Sequence, residues 1–222
     1  MPGNEKNLVY RAAEAFITKA SLRGGISIRL TKHIPVAAGL GGGSSDAAAT
    51  LRAMNEIWSQ PLSFDELAAL AVRLGADVPF FLTCRTSLAT GIGEVLEPIR
   101  KWPPLWYVIV TPPLEISTAW VYRNLKLELT TGEYDSIVNR LQHHPPPPTE
   151  LLENDLETVT ALHYPVIVRI KKALLEAGAS GTLMSGSGPS VFGLFESKAK
   201  AEKAKQKLKS QDLGRLFIVH GI

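Results

Sequence analysis

Gly39-Leu40-Gly41-Gly42-Gly43-Ser44-Ser45-Asp46 lies between a strand-like alternation and an alanine-rich helical stretch. Four glycines let the backbone pass through positive φ and approach a ligand with no Cβ in the way. Amides at the start of the following helix point into such a concavity, and the helix dipole favours an anion there. Ser44 and Ser45 add hydroxyl donors, so a triphosphate suits this environment. Two better-known loops do not fit. A Walker-type loop needs Gly-Lys-Ser/Thr, and no lysine follows these glycines. The dinucleotide fingerprint needs its third small residue at position 44, where Ser is poor, and a carboxylate about twenty residues on that closes a second strand. That region reads here as helix and turn. The bland alternative is a connector capped by Ser44, but so many glycines beside a strong helix start would cost conformational entropy to no end. Asp46 falls in the first helical turn, where stabilising the dipole competes with a role near magnesium.

Upstream of this stretch, Asn7 is a helix cap, followed by Leu8, Ala12, Ala15 and Phe16 at helical spacing. Gly24-Gly25 breaks the chain, and Ile26, Ile28 and Leu30 alternate with Ser27 and Arg29 as in a strand with one buried face. Downstream, Ala47, Leu51, Met54 and Trp58 share one helix face. Ser63-Phe64-Asp65-Glu66 is a capping box opening a helix with Leu67, Leu70 and Leu74, which Gly75 closes in a left-handed cap. Pro79 favours the first turn of a new short helix, so Asp77 stands at an exposed helix entrance. A carboxylate there either caps the helix or receives a hydroxyl proton.

Beyond Thr86 the pattern changes. Ser87–Pro98 reads as strands around Gly91 and Gly93, Trp106–Val110 as a buried strand, and Ser117–Leu125 as a short helix. His143-His144 and Pro145–Pro148 read as a stiff, exposed connector. Pro165–Ala177 is a helix. Gly181–Met184 and Val191–Phe195 are strands around the turn Ser185–Pro189, Ser197–Lys209 is a lysine-rich helix, and Leu216–Val219 is a last strand. The order predicts an α+β sandwich with helices on one face of a mostly antiparallel sheet. Taken alone, Ser185–Ser190 is a hairpin loop, Glu94 a turn charge, and the lysines between 198 and 209 a solvated face.

The chain has 222 residues, 45% of them hydrophobic and 20% charged, enough to bury a core in one large domain or two small ones. A net charge of +3 is too small to argue for nucleic acid or a membrane surface as partner. Cys84 is the single cysteine, so no intrachain disulfide framework exists, and the five histidines show no metal-ligand spacing. No apolar run reaches the length of a membrane span, and the first six residues lack the apolar core of a signal peptide. These features lead us to expect a cytoplasmic protein.

Together the segments resemble the GHMP kinases. Pro35, Val36, Ala37, Ala38, Gly39, Leu40, Gly41, Gly42, Gly43, Ser44 and Ser45 look like the family's ATP phosphate loop. Leu74–Pro79, Ala89–Glu94 and Gly181–Phe195 most resemble the branch whose acceptor is the cytidine diphosphate ester of methylerythritol. The resemblance implies an N-terminal ATP-binding domain (1–87) like ribosomal protein S5 domain 2, and a ferredoxin-like C-terminal substrate-binding domain (88–222). It implies ATP and magnesium as cofactors, with phosphorylation of the acceptor's 2-hydroxyl. Asp77 matches the catalytic aspartate. Asn7, Leu8 and Lys32 fall where the nucleotide pocket would be. Thr118 matches a position near the substrate and Tyr122 an aromatic that stacks on cytosine, while Gly186 and Gly188 match the third family motif. Relatives in this family begin with a strand bearing a Pro-Ala-Lys-Leu-Asn-like motif and then a Tyr-His segment, and residues 1–30 match neither. The expectation is therefore of a chain that starts at the helix following them, with an incomplete first sheet and without the lysine that helps keep the aspartate ionised. Two other readings stay open: a nucleotide-binding protein without catalysis, and a kinase of this family acting on homoserine or a mevalonate derivative.

Overall fold

The computed structural model describes residues 3–99, 102–126, 141 and 146–221. It divides into two compact units: Met1–Val36 with Gly41–Ile99, and Ala37–Leu40 with Arg100–Ile222.

The first unit is a helical cluster carrying one hairpin. Helix α1 (Leu8–Lys19) is capped by Asn7, whose Oδ1 accepts from the Val9 amide at 3.0 Å. It buries Val9, Ala12, Ala13 and Phe16. Helix α2 (Gly42–Ile57) answers with Ala47, Ala48, Leu51 and Met54. Alanines on both helices permit close approach, while Phe16, Leu51 and Met54 fill the volume beyond them. Helix α3 (Phe64–Leu74) opens with the expected capping box: Ser63 Oγ accepts from the Glu66 amide and Glu66 returns a carboxylate to the Ser63 amide. Helix α4 (Val78–Thr83) follows at once, with Pro79 in its first turn. Strands β1 (Ser87–Thr90) and β2 (Val95–Pro98) pair antiparallel about Gly91 and Gly93, both at positive φ.

Three local expectations need correction here. Residues 26–30 form no strand and pair with none among the described residues, and Ile28 is 39% exposed. Alternation alone does not make a strand, because the ladder needs a second chain segment to complete it. Gly75 does end α3, yet at φ 170 and ψ 154 it is extended rather than left-handed, since its carbonyl must turn to accept the Val78 amide at 3.1 Å. Helix α2 starts at Gly42 with Gly41 as its cap, so Ser44 caps nothing and Asp46 sits beyond the first turn.

The second unit is a four-stranded antiparallel sheet with order β4-β5-β3-β6. Its strands are β3 (Trp106–Thr111), β4 (Thr182–Met184), β5 (Val191–Phe195) and β6 (Arg215–His220). Helix α5 (Thr118–Asn124) follows β3, then come α6 (Asp155–His163), α7 (Val166–Glu176) and α8 (Lys198–Leu208). Val108, Val110, Met184, Val191 and Phe195 form one sheet face. They pack with Ile167, Ile170, Ala173 and Leu174 of α7 and Ala201, Ala204 and Leu208 of α8. This is the helix-covered sheet that the element order predicted. Helix α6 lies between the connector and the helix at Pro165, where no helix is predicted, although Asn154 caps it and Asp155 and Glu157 lie in its first turn. Its weak amphipathic pattern hides it: Val159 and Thr160 are its only buried residues. The connector prediction falls partly outside the described residues, at His143, His144 and Pro145; Pro146 is buried rather than exposed, and Pro148 starts a short 3-10 turn.

Candidate active site

In the first unit, the site residues gather at the start of α2. Gly41 holds φ 62 and provides no side-chain cap for the helix. The first helical amides, at Gly42, Gly43 and Ser44, have no intrahelical acceptor by the geometry of a helix start. A cavity-free reason keeps position 41 glycine: a Cβ there would sit 2.6 Å from Cζ of Phe81. Phe81 lies one turn along α4 from Asp77, so this contact sets α4 against the loop. Asp77 itself is the exposed N-cap residue of α4 and makes no side-chain capping bond. The bland reading of Asp77 as a capping side chain therefore fails, and its carboxylate is not used to close the helix. Next to it, Ala76 meets the β1–β2 turn at Gly93, and Glu94 folds back to accept the Ile92 amide at 2.7 Å.

Lys32 braces the same helix start. Its ammonium donates to the Gly42 carbonyl at 2.9 Å and pairs with the Asp46 carboxylate. Asp46 thus serves an ion pair rather than the helix dipole. Leu8 lies alongside, its Cδ1 3.5 Å from where a Cβ on Gly43 would stand. Ser45 turns its hydroxyl inward to the Gly42 carbonyl at 3.0 Å. Asn7 is committed to capping α1. Pro35 is half-buried and Val36 is 59% exposed. Of the four glycines, Gly39 and Gly41 hold positive φ, joined by Ala37 at φ 53, while Gly42 and Gly43 are helical.

In the second unit, Ala38, Gly39 and Leu40 lie against the turn between β4 and β5. Ser185 Oγ donates to the Gly39 carbonyl at 2.7 Å, and the Ser190 amide reaches the Ala38 carbonyl at 3.3 Å. A Cβ on Gly39 would stand 2.2 Å from the Ser185 carbonyl oxygen, so only glycine fits. Gly186 and Gly188 hold φ 56 and 85 within that turn. Thr118, the first residue of α5, shares a 2.8 Å hydrogen bond with Ser187, and Thr111 shares one of 2.8 Å with Ser190. Tyr122, further along α5, is 60% exposed. Phe81, Thr111, Ser187 and Ser190 were not singled out from the sequence. Ser187 and Ser190 lie in a motif that was, whereas Phe81 and Thr111 carry no local signal.

A loop with positive-φ glycines feeds a helix start with no side-chain cap, and Asp77 stands at a second helix entrance. Residues 7–85 match the GHMP kinases N terminal domain and residues 141–212 the GHMP kinases C terminal domain. The chain belongs to the GHMP kinase family. It is 51% identical over 209 residues to the 4-diphosphocytidyl-2-C-methyl-D-erythritol kinase of Geobacter metallireducens, which spans 94% of this chain and 73% of that protein. It is 46% identical over all 222 residues to the kinase of the same name from Syntrophotalea carbinolica, covering 79% of it. The crystal structure of a 4-(cytidine 5'-diphospho)-2C-methyl-D-erythritol kinase superposes with a TM-score of 0.81 at 37% identity, over 99% of this chain and 80% of that one. A homoserine kinase from Cytophaga hutchinsonii gives the same TM-score of 0.81 at 24% identity, over 100% of this chain and 78% of that one, which speaks to the fold alone. Among the described residues, no helix is long and apolar enough to cross a membrane, and no three His, Cys, Asp or Glu side chains cluster as metal ligands.

Proposed function

We propose that this chain transfers the terminal phosphoryl group of ATP to the 2-hydroxyl of 4-diphosphocytidyl-2-C-methyl-D-erythritol, a step of non-mevalonate isoprenoid (terpenoid) precursor biosynthesis. One observation carries the choice of acceptor: relatives 45–51% identical over more than nine-tenths of the chain carry the name of that kinase. The uncapped start of α2 supports the choice of a phosphate-bearing donor.

In this reading the amides of Gly42, Gly43 and Ser44 cradle the triphosphate, and the α2 dipole lowers the cost of its charge. The acceptor oxygen forms the new bond to phosphorus as the bond to ADP breaks, and Asp77 takes the hydroxyl proton. Thr118 and Tyr122 hold the acceptor, the ring of Tyr122 stacking on cytosine, and Gly186 and Gly188 shape the site. Catalysis of this kind rests chiefly on positioning and charge, which suits a site built of backbone amides. When bound, magnesium neutralises charge on the phosphates. Asp46, near the start of α2, would be the carboxylate to hold it, in exchange for its present ion pair with Lys32. The domains follow the same reading: 1–87, like ribosomal protein S5 domain 2, for nucleotide, and 88–222, ferredoxin-like, for acceptor. The four-stranded antiparallel sheet backed by α7 and α8 supports the second name. A cytoplasmic site of action goes with isoprenoid precursor synthesis on a water-soluble cytidine nucleotide.

Incubation with ATP, magnesium and the cytidine substrate tests the proposal, with product followed by phosphorus NMR. A new phosphate monoester that disappears in Asp77→Asn is the expected result. ATP binding without product would instead mark a nucleotide-binding protein, and product only with homoserine or a mevalonate derivative would move the acceptor.

A further inference from the structure

Helix α6 makes no part of the site described above, yet one of its faces is spent almost entirely on the turn between β4 and β5. Asn154, Glu157 and Thr160 recur every third residue, so they stand one above another along the helix. Asn154 uses its whole amide. Its Oδ1 accepts the Leu156 amide at 3.0 Å to cap α6, and its Nδ2 donates at 2.8 Å to the carbonyls of both Met184 and Gly186. Glu157 accepts the Met184 amide at 2.8 Å through one oxygen and pairs with Lys171 of α7 through the other. Thr160, fully buried, donates to the Ser187 carbonyl at 3.3 Å. Four successive residues of the chain, Met184 to Ser187, thus include three whose backbone groups are held by α6 side chains.

The turn so held is the one whose Ser185 hydroxyl grips Gly39 and whose Ser187 hydroxyl meets Thr118. Gly186 and Gly188 both hold positive φ there, a conformation with little intrinsic preference for one geometry in glycine. Such a segment keeps a single shape only when outside contacts impose it. The Thr160 contact is buried and the two to Met184 are partly buried, so a group left without its partner there has little water to turn to, whereas the Gly186 carbonyl is exposed.

We infer that Asn154, with Glu157 and Thr160, is a positioning residue for nucleotide binding: α6 holds the Ser185–Gly188 turn, and the turn holds Gly39 of the glycine loop. This rests on the proposed function for its nucleotide, but not for its mechanical part. The two are separable by experiment on the whole chain. Asn154→Asp keeps the capping oxygen and removes both donors to the turn. Thr160→Val removes the third contact at nearly constant shape, and serves if the first variant folds poorly.

Amide hydrogen exchange at Gly188 and Ser190, whose amides bond to Ser185 and Ala38, reads the turn directly with no ligand present. The expected result is exchange about tenfold faster in either variant, corresponding to loss of about one net hydrogen bond, with a melting temperature within a few degrees of the parent's. Unchanged exchange at both amides would overturn the inference. Titration with a fluorescent ATP analogue then reads the loop, where the variants should bind about tenfold more weakly than the parent chain. Faster exchange with undiminished nucleotide affinity would equally overturn it, because the turn would then not position the loop. A parent chain that fails to bind the analogue sinks the proposed function, and the exchange result still decides whether α6 sets the turn.

Discussion

Helices α2 and α3 begin within the same unit and are closed in opposite ways. At α3, Ser63 and Glu66 satisfy each other's amides, and Lys19 adds an ion pair to Glu66 at 2.9 Å. At α2, Gly41 stands in the left-handed region, no side chain caps the amides, and Lys32 instead fastens the Gly42 carbonyl and Asp46. Side chains at a helix start do the work of stability when they occupy the donors. When they are withheld, the same donors and the same dipole become a place for an anion. The chain therefore seals the start of α3 and leaves that of α2, where the glycines gather, without a side-chain cap. Helix α4 is a third case: Asp77 occupies the cap position without a side-chain capping bond.

The largest effect should come from Asp77→Asn, which removes the proton acceptor but no cap. Turnover should fall by about a hundredfold or more while the melting temperature and ATP affinity stay close to those of the parent. A large loss of stability instead would show that Asp77 closes α4 after all. Next comes Gly41→Ala, which strains a residue at φ 62 and drives a methyl to 2.6 Å from the Phe81 ring. ATP affinity should drop about tenfold, and the fold should lose about 1–3 kcal/mol, read by denaturant titration. Equal binding by this variant would mean the open start of α2 is not where the phosphates lie.

Ser63→Ala is the converse change, at the sealed helix. It should cost about 1 kcal/mol, a fall of roughly 2–4 °C in melting temperature, with nucleotide binding untouched. The smallest effect is one of pH. Hydrogen bonding from Lys19 and from the Ser63 amide holds the Glu66 carboxyl below its ordinary 4.5. A depressed carboxyl stabilises the fold above its unfolded value, and that contribution disappears as pH falls through the folded one. Melting curves of Glu66→Gln and the parent should accordingly differ slightly at neutral pH and converge well below 4.5. A gap that persists in acid would place the effect in packing rather than in charge.

Much of the site was readable in one dimension. The Ser63–Glu66 box, the Asn7 cap, the helix after Gly43 and the exposed entrance at Asp77 all rest on contacts within a few residues, where spacing and residue type carry the physics. The strand expected at 26–30 failed because its period predicts a face but not a partner. Helix α6 escaped notice for the opposite reason. Only Val159 and Thr160 of it are buried, and Glu157 and Thr160 serve the β4–β5 turn, so it carries little hydrophobic period to detect. The Asn154-Asp155-Leu156-Glu157 run, a cap with acids in the first turn, was the signal that remained.

The amino-acid order by itself determined the glycine stretch and its helix, the capped helix starts, and the family to which these motifs point, because each depends on neighbours in the chain. Only the tertiary structure decided that Ser185 holds Gly39 from 146 residues away, that Phe81 fills the space denied to a side chain at position 41, and that Lys32 engages Asp46. Those contacts are chosen by packing, which ranks partners by proximity in space, and spacing along a chain carries no record of it.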